Sequence, residues 1–172
     1  GGANGPYAYD LWRYDPVQNL WSARAALPDQ GRVGAGGFSA DGIGYVVTGR
    51  QLDQTLTNEL WAYDPNTNSW STKATMPGVV TCYPETYSVG NKGVVMGGHG
   101  VNTDPFACWY YTPGTDSWTA LPNYVGDATW TGADMTIGDR IFAGLGQGSG
   151  NVYGDFYELT GLTLGIADIT SA

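Results

Sequence analysis

One aromatic pattern occurs three times along the chain, at intervals of about fifty residues. Each copy holds a tryptophan, a tyrosine two positions later, a proline corner, and a second tryptophan nine positions after the first. The copies comprise Trp12, Tyr14 and Trp21; Trp61, Tyr63 and Trp70; and Trp109, Tyr111 and Trp118. Internal repeats of this length are typical of solenoids, propellers and arrays, in which each unit buries its apolar face against its neighbours. The repeat therefore constrains the fold strongly, whereas function resides in loops on the scaffold.

The composition favours short strands joined by tight turns. The chain of 172 residues has 27 glycines and 13% aromatic residues, and no segment shows sustained helical periodicity. No apolar run approaches the roughly 18 residues that a membrane span needs, so we expect no transmembrane segment. A net charge of −9 repels phosphate backbones, so we expect no nucleic-acid partner. These features predict an all-β protein.

Each unit is predicted to contain four strands. In the best-defined unit, Asp41-Gly42 separates two β-prone runs, which is a strong hairpin signal, and Asp64-Pro65 begins the turn between the last two strands. The predicted strands of the three units are 34–40, 44–49, 60–63 and 69–72; 82–89, 92–98 and segments around Trp109 and Trp118; and 130–137, 140–146, 156–159 and 162–169. In the last unit Tyr157 takes the first tryptophan position and Ile166 the second, and the segment 162–169 is either a less regular outer strand or an exit segment.

The chain is expected to begin in the middle of a unit, because Gly1-Gly2 matches the pair that ends a second strand elsewhere. The predicted division is a partial unit at 1–24, full units at 25–73 and 74–121, a degenerate unit at 122–169, and an exit segment at 170–172. A propeller of about three and a half blades would leave sheet edges open. We therefore expect a fragment or processed product of a larger closed propeller, with further blades or a partner chain covering the edges.

A double glycine after an apolar strand, an aromatic-x-Tyr-Asp-Pro corner and a tryptophan five residues after the proline together resemble the kelch repeat. Gly97 and Gly98 match the double glycine fully, whereas Gly49-Arg50 and Gly144-Leu145-Gly146 match it in part. The resemblance covers nearly the whole chain. It implies a kelch-type β-propeller of four-stranded blades. The Tyr and Trp residues would pack between the blades, and the loops before the first and third strands would lie on one face.

A second, shorter resemblance concerns the terminal stretch 155–166. It is similar to the end of kelch domains in secreted Bacteroidetes proteins, where a cleaved sorting domain of the type IX secretion pathway commonly follows. Together with low lysine content and abundant Asn, Thr, Gly and Tyr, this resemblance favours an extracellular or cell-surface location.

Five residues are candidates for ligand binding on the loop face. Trp130 begins a predicted innermost strand, in alignment with Gly34 and Cys82, and is the one tryptophan outside the repeat positions. Glu85 is predicted on another innermost strand, near the central channel. The remaining candidates, Arg32, Arg50 and His99, lie in or beside loops of the same face. For each, a structural or solvated role is the plainer alternative.

The sequence gives little indication of a metal site, a cofactor site or a disulfide. A copper site like that of the kelch-type enzyme galactose oxidase would need paired histidines, and the chain has only one. The acidic residues are too dispersed for a calcium site, so we predict neither a metal nor a cofactor. Cys82 and Cys108 either form one disulfide or remain buried thiols. Because a strand is predicted between them, a bridge would require a local bend.

The sequence thus favours a noncatalytic interaction module that binds a protein or a glycan through its loop face. Two alternatives remain open. The chain could be part of a catalytic propeller, such as an oxidase or a sugar-processing enzyme, which a cluster of acids, histidine or tyrosine at the axis would favour. It could also be a structural subunit of a surface complex or filament, whose exposed edges pair with other chains.

Overall fold

The computed structural model describes residues 8–78, 80–100, 106–127, 130–148 and 150–160, together with the backbone of 168–171. The chain is built from short antiparallel strands, as the composition predicts. The described residues include a single 3₁₀ turn at Pro113–Thr115 and no helix of the length and apolarity that crossing a bilayer requires. The all-β prediction is confirmed.

Eighteen short strands occur within the described residues. They are β1 Leu11–Asp15, β2 Leu20–Arg24, β3 Arg32–Val33, β4 Gly36–Ala40, β5 Ile43–Val47, β6 Arg50–Gln51, β7 Leu60–Asp64, β8 Ser69–Lys73, β9 Glu85–Val89, β10 Lys92–Met96, β11 Cys108–Thr112, β12 Ser117–Leu121, β13 Ala133–Ile137, β14 Arg140–Gly144, β15 Gln147–Gly148, β16 Asn151–Val152, β17 Phe156–Thr160 and β18 Asp168–Ser171.

The longer strands form four sheets that follow one another along the chain. Sheet I contains β1 and β2, sheet II β4-β5-β7-β8, sheet III β9-β10-β11-β12, and sheet IV β13-β14-β17-β18. Two small ribbons, β3-β6 and β15-β16, lie in segments that the sequence predicted partly as loops. All strand pairs are antiparallel. No sheet in the described chain closes on itself, so the architecture is consistent with a propeller-like fragment.

The hairpin turns follow the predicted turn chemistry. Asp41 and Gly42 have φ of 51° and 76°, and a type I′ hairpin turn requires positive φ at both central positions. Ala40 consequently pairs with Ile43, which fixes the register of β4 and β5. Gly90 and Gly138 occupy the corresponding turns of sheets III and IV with φ of 56° and 64°. The first hairpin of each full unit is thus set locally by its turn.

Strand pairing confirms the first tryptophan position of the repeat. Trp61 lies opposite Val46, Trp109 opposite Val95, and Tyr157 opposite Ala143, so Tyr157 does replace the tryptophan.

The last strand departs from the prediction. Ile169 lies opposite Leu159 and occupies the place that Trp70 has opposite Tyr63, so it takes the second tryptophan position. Ile166 lies outside the described residues. Strand β18 continues to Ser171, and residues 170–171 therefore belong to sheet IV rather than to an exit segment.

The glycine pair of the repeat also differs in register from the sequence alignment. Gly97 and Gly98 have φ of 61° and 108°, and the matching values occur at Thr48 and Gly49, with φ of 60° and 109°. Leu145, with φ of 58°, takes the first position in the last unit. The partial matches are therefore Thr48-Gly49 and Leu145-Gly146, rather than Gly49-Arg50. Two non-glycine residues accordingly hold a left-handed conformation that costs L-residues about 1–2 kcal/mol.

The tyrosine and second tryptophan of each repeat form one local cluster. Their ring centroids lie 5.1, 5.0 and 5.1 Å apart for Tyr14–Trp21, Tyr63–Trp70 and Tyr111–Trp118. Each tyrosine hydroxyl also donates to the side chain of a left-handed turn residue five positions later. The three acceptors are Asn19, Asn68 and Asp116. Asn and Asp tolerate this backbone conformation better than most residues.

The same cluster links consecutive sheets. Trp70 Nε1 donates to the carbonyl of Ala25 at 2.7 Å, and Trp118 Nε1 donates to that of Ala74 at 2.8 Å. Asp116 Oδ1 reinforces the second link by accepting from the Ala74 amide, and this bond is the first cause of the lowered pKa of Asp116. The repeat aromatics of the second and third copies therefore connect sheets as well as packing within them.

The core is divided between neighbouring sheets. One buried cluster joins sheets II and III around Val47, Leu60 and Tyr111, and a second joins sheets III and IV around Val94 and Ile141.

Sheet I is different, because Trp12 is 51% exposed and Trp21 64% exposed. The expected packing of repeat aromatics against a neighbouring sheet therefore applies to the later copies and not to the first.

Candidate ligand-binding site

Three equivalent backbone bridges define one end of sheets II, III and IV. They pair Val33 with Arg50, Cys82 with His99, and Trp130 with Gln147. Trp130 therefore aligns with Cys82 and Val33, and the expected alignment with Gly34 is wrong by one residue. The predicted innermost strands 82–89 and 130–137 are thus each divided into a short bridge and a longer strand, with a bend between them. In the first full unit the bridge residue Val33 lies just before the predicted strand 34–40.

A left-handed residue forms each bend. Gly34, Tyr83 and Thr131 directly follow the bridge residues, with φ of 65°, 56° and 55°. The inner strands β4, β9 and β13 begin two residues later and lie side by side, with Thr86 and Ser88 of β9 hydrogen-bonded to the backbone of β4. The three bends consequently meet at one place.

The bends line a cavity of about 240 Å³. Its walls are Gly34 and Ala35 from the first bend, Tyr83, Pro84 and Glu85 from the second, and Thr131, Gly132 and Asp134 from the third. We call this the bend pocket. Pockets that collect a few polar groups at a junction between elements are the usual places for ligands.

Glu85 is the chemically distinctive residue of the bend pocket. It is the first residue of β9 and is only 9% exposed. Oε2 accepts a hydrogen bond of 2.9 Å from the Tyr87 hydroxyl, whereas Oε1 is buried with no hydrogen-bond partner. A β-carbon at Gly132 would collide with Oε1, so glycine at this position leaves room for the carboxylate. Buried polar groups are normally satisfied, and an unsatisfied one in a pocket wall is a candidate for contact with a bound group.

Burial raises the pKa of Glu85 to about 7, because desolvation disfavours the charged carboxylate. The hydrogen bond from Tyr87 opposes this shift, and so does the Gly132 amide, which lies near the carboxylate but does not meet hydrogen-bond geometry with Oε1. The negative charges of Asp134 and Asp155 reinforce the shift. Glu85 therefore exchanges its proton near neutral pH, unlike an exposed glutamate.

A second acidic residue, Asp155, acts electrostatically on Glu85. Asp155 Oδ2 accepts hydrogen bonds from the Tyr124 hydroxyl at 3.3 Å and from the Asp127 amide at 3.0 Å. Burial is the first cause of the raised pKa of Tyr124, and the Asp155 and Glu85 charges add to it. Acids and tyrosines are thus concentrated around the inner end of sheets III and IV.

Two predicted residues, His99 and Trp130, meet beside the bend pocket. Their ring centroids are 5.2 Å apart, and the ring of Trp130 lies 6.3 Å from that of Tyr83, which lines the pocket. The bridges explain this contact, since Cys82 pairs with His99 and directly precedes Tyr83. The structure therefore brings Glu85, His99 and Trp130 to one region through Tyr83.

Arg32 is buried and bonded to other residues of the protein. It is 4% exposed, pairs with Asp29 at 2.8 Å and Glu59 at 3.0 Å, and donates to the carbonyl of Thr48. These bonds occupy the two terminal nitrogens of the guanidinium inside the protein, whereas Nε is buried without a hydrogen-bond partner. They favour the plainer, structural interpretation of Arg32.

Arg50 is half-buried, with Nε buried and unbonded. Its charge acts on the thiol of Cys82, opposing the larger effect of burial, which raises the pKa of that thiol.

The cysteines are both buried and reduced, so the disulfide considered from the sequence is not formed. The Cys82 thiol donates to the His99 carbonyl at 3.2 Å, and that of Cys108 donates to the Phe106 carbonyl at 3.3 Å. Cys108 pairs with Met96 of β10, and this strand separates it from Cys82. The expected intervening strand is therefore the physical reason that the bridge is absent.

Sequence reasoning missed Tyr83, Asp134 and the two glycines of the bends. A signal existed in the repeat, because Gly34, Tyr83 and Thr131 recur at the repeat spacing. Their side chains share no chemistry, and only their backbone conformation unites them. Within the described ranges, no three His, Cys, Asp or Glu side chains group as a metal site would require.

Comparisons with known proteins add information on the fold alone. No protein-family model and no curated protein matches the chain. Among solved structures, the chain is similar to the structure of YjhT, with a TM-score of 0.77 and 18% sequence identity. The match covers 97% of this chain and 65% of the YjhT chain, so the chain spans less than two thirds of that protein's length.

Proposed function

We propose that this chain is a noncatalytic interaction module of a kelch-type β-propeller, acting outside the cell or at its surface. In this proposal sheets II, III and IV are blades and sheet I is half of another. The module binds a glycan or a protein group in the bend pocket. The resemblance of the repeats and the side-by-side inner strands support the propeller assignment, and the extracellular location rests on the composition.

The buried, unbonded Oε1 of Glu85 in the wall of the bend pocket is the observation that carries the binding proposal. An acceptor in this state costs about 1–3 kcal/mol relative to a satisfied one. A ligand that supplies a donor recovers part of that free energy. Asp134 adds a second, exposed carboxylate to the same walls.

A glycan array tests the proposal, with the wild-type chain compared with Asp134→Asn and Asp41→Asn. Both substitutions remove one exposed carboxylate, but Asp41 lies in the turn at the other end of β4. We expect glycan binding that weakens about tenfold in Asp134→Asn and is unchanged in Asp41→Asn. Equal binding by all three proteins would place the interaction away from the bend pocket and contradict the proposal.

Acid–base catalysis is the second candidate, and the pKa of Glu85 near 7 favours it. A general acid or base works best when its pKa lies near the working pH, and Glu85 lies in the pocket wall. The two candidates differ in the fate of the ligand. Mass spectrometry of a bound glycan after prolonged incubation should recover it unchanged from a binding module, whereas a converted product would establish catalysis.

A further inference from the structure

We propose that the bend pocket selects ligands that carry a primary ammonium group, which would lie between the Glu85 and Asp134 carboxylates. This inference rests on the proposed binding function and specifies the chemistry of its ligand.

The hydrogen-bonding state of Glu85 requires a donor. Tyr87 satisfies Oε2, and Oε1 has no partner although the side chain is more than nine-tenths buried. In its charged form Glu85 only accepts hydrogen bonds, so ligand groups that are themselves only acceptors, such as carboxylates, sulfates and phosphates, cannot satisfy Oε1 of the carboxylate and would meet a like charge. A hydroxyl or an ammonium group can satisfy it.

The charge of the pocket favours the ammonium group over the hydroxyl. None of the eight lining residues is Lys, Arg or His, and two of them are acids. Asp155 adds a third negative charge that acts on Glu85, and the remaining polar groups that act on it are the Tyr87 hydroxyl and the Gly132 amide. A neutral hydroxyl satisfies one oxygen, whereas an ammonium group has three donors and also compensates charge.

The aromatic wall is compatible with a cation. Tyr83 lines the pocket, and its ring centroid lies 6.3 Å from that of Trp130, which in turn lies 5.2 Å from that of His99. Ammonium groups bind favourably over the faces of such rings.

Binding of a cation has a consequence that binding of a neutral ligand lacks. Because the pKa of Glu85 is about 7, part of the population is protonated at neutral pH. A cation beside the carboxyl stabilises the charged form and lowers this pKa, so that Glu85 loses its proton as the ligand binds. A hydroxyl ligand produces a much smaller effect.

The test compares glucosamine with glucose, which differ at the amine-bearing position, by calorimetric titration at pH about 6.5, where Glu85 is largely protonated. We expect glucosamine to bind at least about tenfold more tightly than glucose, with release of up to about one proton measured in two buffers of different ionisation enthalpy. Glu85→Gln should reduce the preference to about threefold or less and abolish proton release. Asp134→Asn, an exposed substitution, should reduce the preference even if the first variant unfolds.

Other results separate the two proposals. Equal binding of both sugars, weakened by Asp134→Asn, would overturn the ammonium preference and leave the binding function in place. Failure of glucosamine and of ethylammonium to shift the amide NMR signals of Gly132 and Asp134 would also overturn the ammonium preference. In that case the glycan array decides the binding function independently.

Discussion

At the scale of single residues, Glu85 couples the bend pocket to protein stability. Its pKa is about 7 in the folded protein and about 4.5 in an exposed glutamate. The folded state therefore binds the proton more tightly. This contribution to stability is fully present below pH about 4.5 and is lost as the pH rises through about 7.

We expect the free energy of unfolding of the wild type to decrease relative to that of Glu85→Gln over this pH range. The full pKa difference corresponds to at most about 3 kcal/mol. Urea unfolding of both proteins at several pH values measures the difference. Parallel pH profiles would show that Glu85 is solvated and would remove the physical basis of the bend pocket.

A second prediction concerns Leu145, which is 52% exposed and has φ of 58°. Leu145→Gly should stabilise the protein by up to about 1 kcal/mol, because relief of left-handed strain exceeds the added entropy of the unfolded chain. Val152→Gly is the control, since Val152 is exposed in a β-strand and has no positive φ. The control should be destabilised in thermal unfolding, and destabilisation of both variants would contradict the strain argument.

Part of the candidate site could be predicted from single residues. Glu85, His99 and Trp130 were recognised because the repeat places them near inner strands or loops, and the structure brings them to one region. Arg32 could not be distinguished in the same way, because its partners Asp29 and Glu59 are determined by tertiary packing. Tyr83 could not be predicted as a pocket residue, because it forms a bend in the left-handed backbone conformation, which tyrosine does not favour.

At the scale of elements, the second tryptophan of a repeat donates an indole hydrogen bond to the segment that precedes its own sheet. Trp118→Phe removes the hydrogen bond to the Ala74 carbonyl and should destabilise the protein by about 1–2 kcal/mol. Trp21→Phe is the matched control, because no described residue accepts from the indole of Trp21, which is 64% exposed. Its effect should remain below about 0.5 kcal/mol. Similar losses in chemical denaturation would contradict the role of the indole bond.

Most strands could be predicted because their signals are local. Asp41-Gly42 fixes one hairpin, and the Asp64-Pro65 corner ends β7 where expected. The division of the inner strands could not be predicted. Cys82 and Trp130, which directly precede the bends, have residue types that fit a strand continuous with the residues after the bend. A last strand was predicted at 162–169, but the register and the end of β18 could not be predicted, because Ile169 lacks the aromatic ring that marks the same position in the other sheets.

At the scale of the whole molecule, sheet I is the least integrated part of the described chain. It contributes no member to either buried cluster, and its aromatic residues Trp12, Tyr14 and Trp21 are exposed. Its connection to sheet II includes hydrogen bonds from Ala25 to Asn68 and from Trp70 to Ala25.

We therefore expect the amides of β1 and β2 to exchange with solvent at least about tenfold faster than the hydrogen-bonded amides of β9 and β10, through local opening. Hydrogen exchange measured by NMR checks this expectation. Uniform protection of all the sheets would contradict it and would indicate that another surface covers sheet I. A concentration-dependent increase in protection would favour the structural-subunit hypothesis.

The order of the sheets could be predicted from the sequence, because each repeat carries the same strand and turn signals. Three sheets have four strands whose spatial order follows their order in the chain, and the first has two. The similarity to YjhT agrees with this arrangement at the level of the fold. The bend pocket could not be predicted, because it forms only where three units meet.

The first measurement to make is a carbon-13 NMR titration of the Glu85 side-chain carboxyl in the unliganded chain. If Glu85 lies buried in the wall of the bend pocket, its midpoint should be near pH 7. A midpoint near pH 4.5, as for an exposed glutamate, would contradict the pocket and both proposals that depend on it.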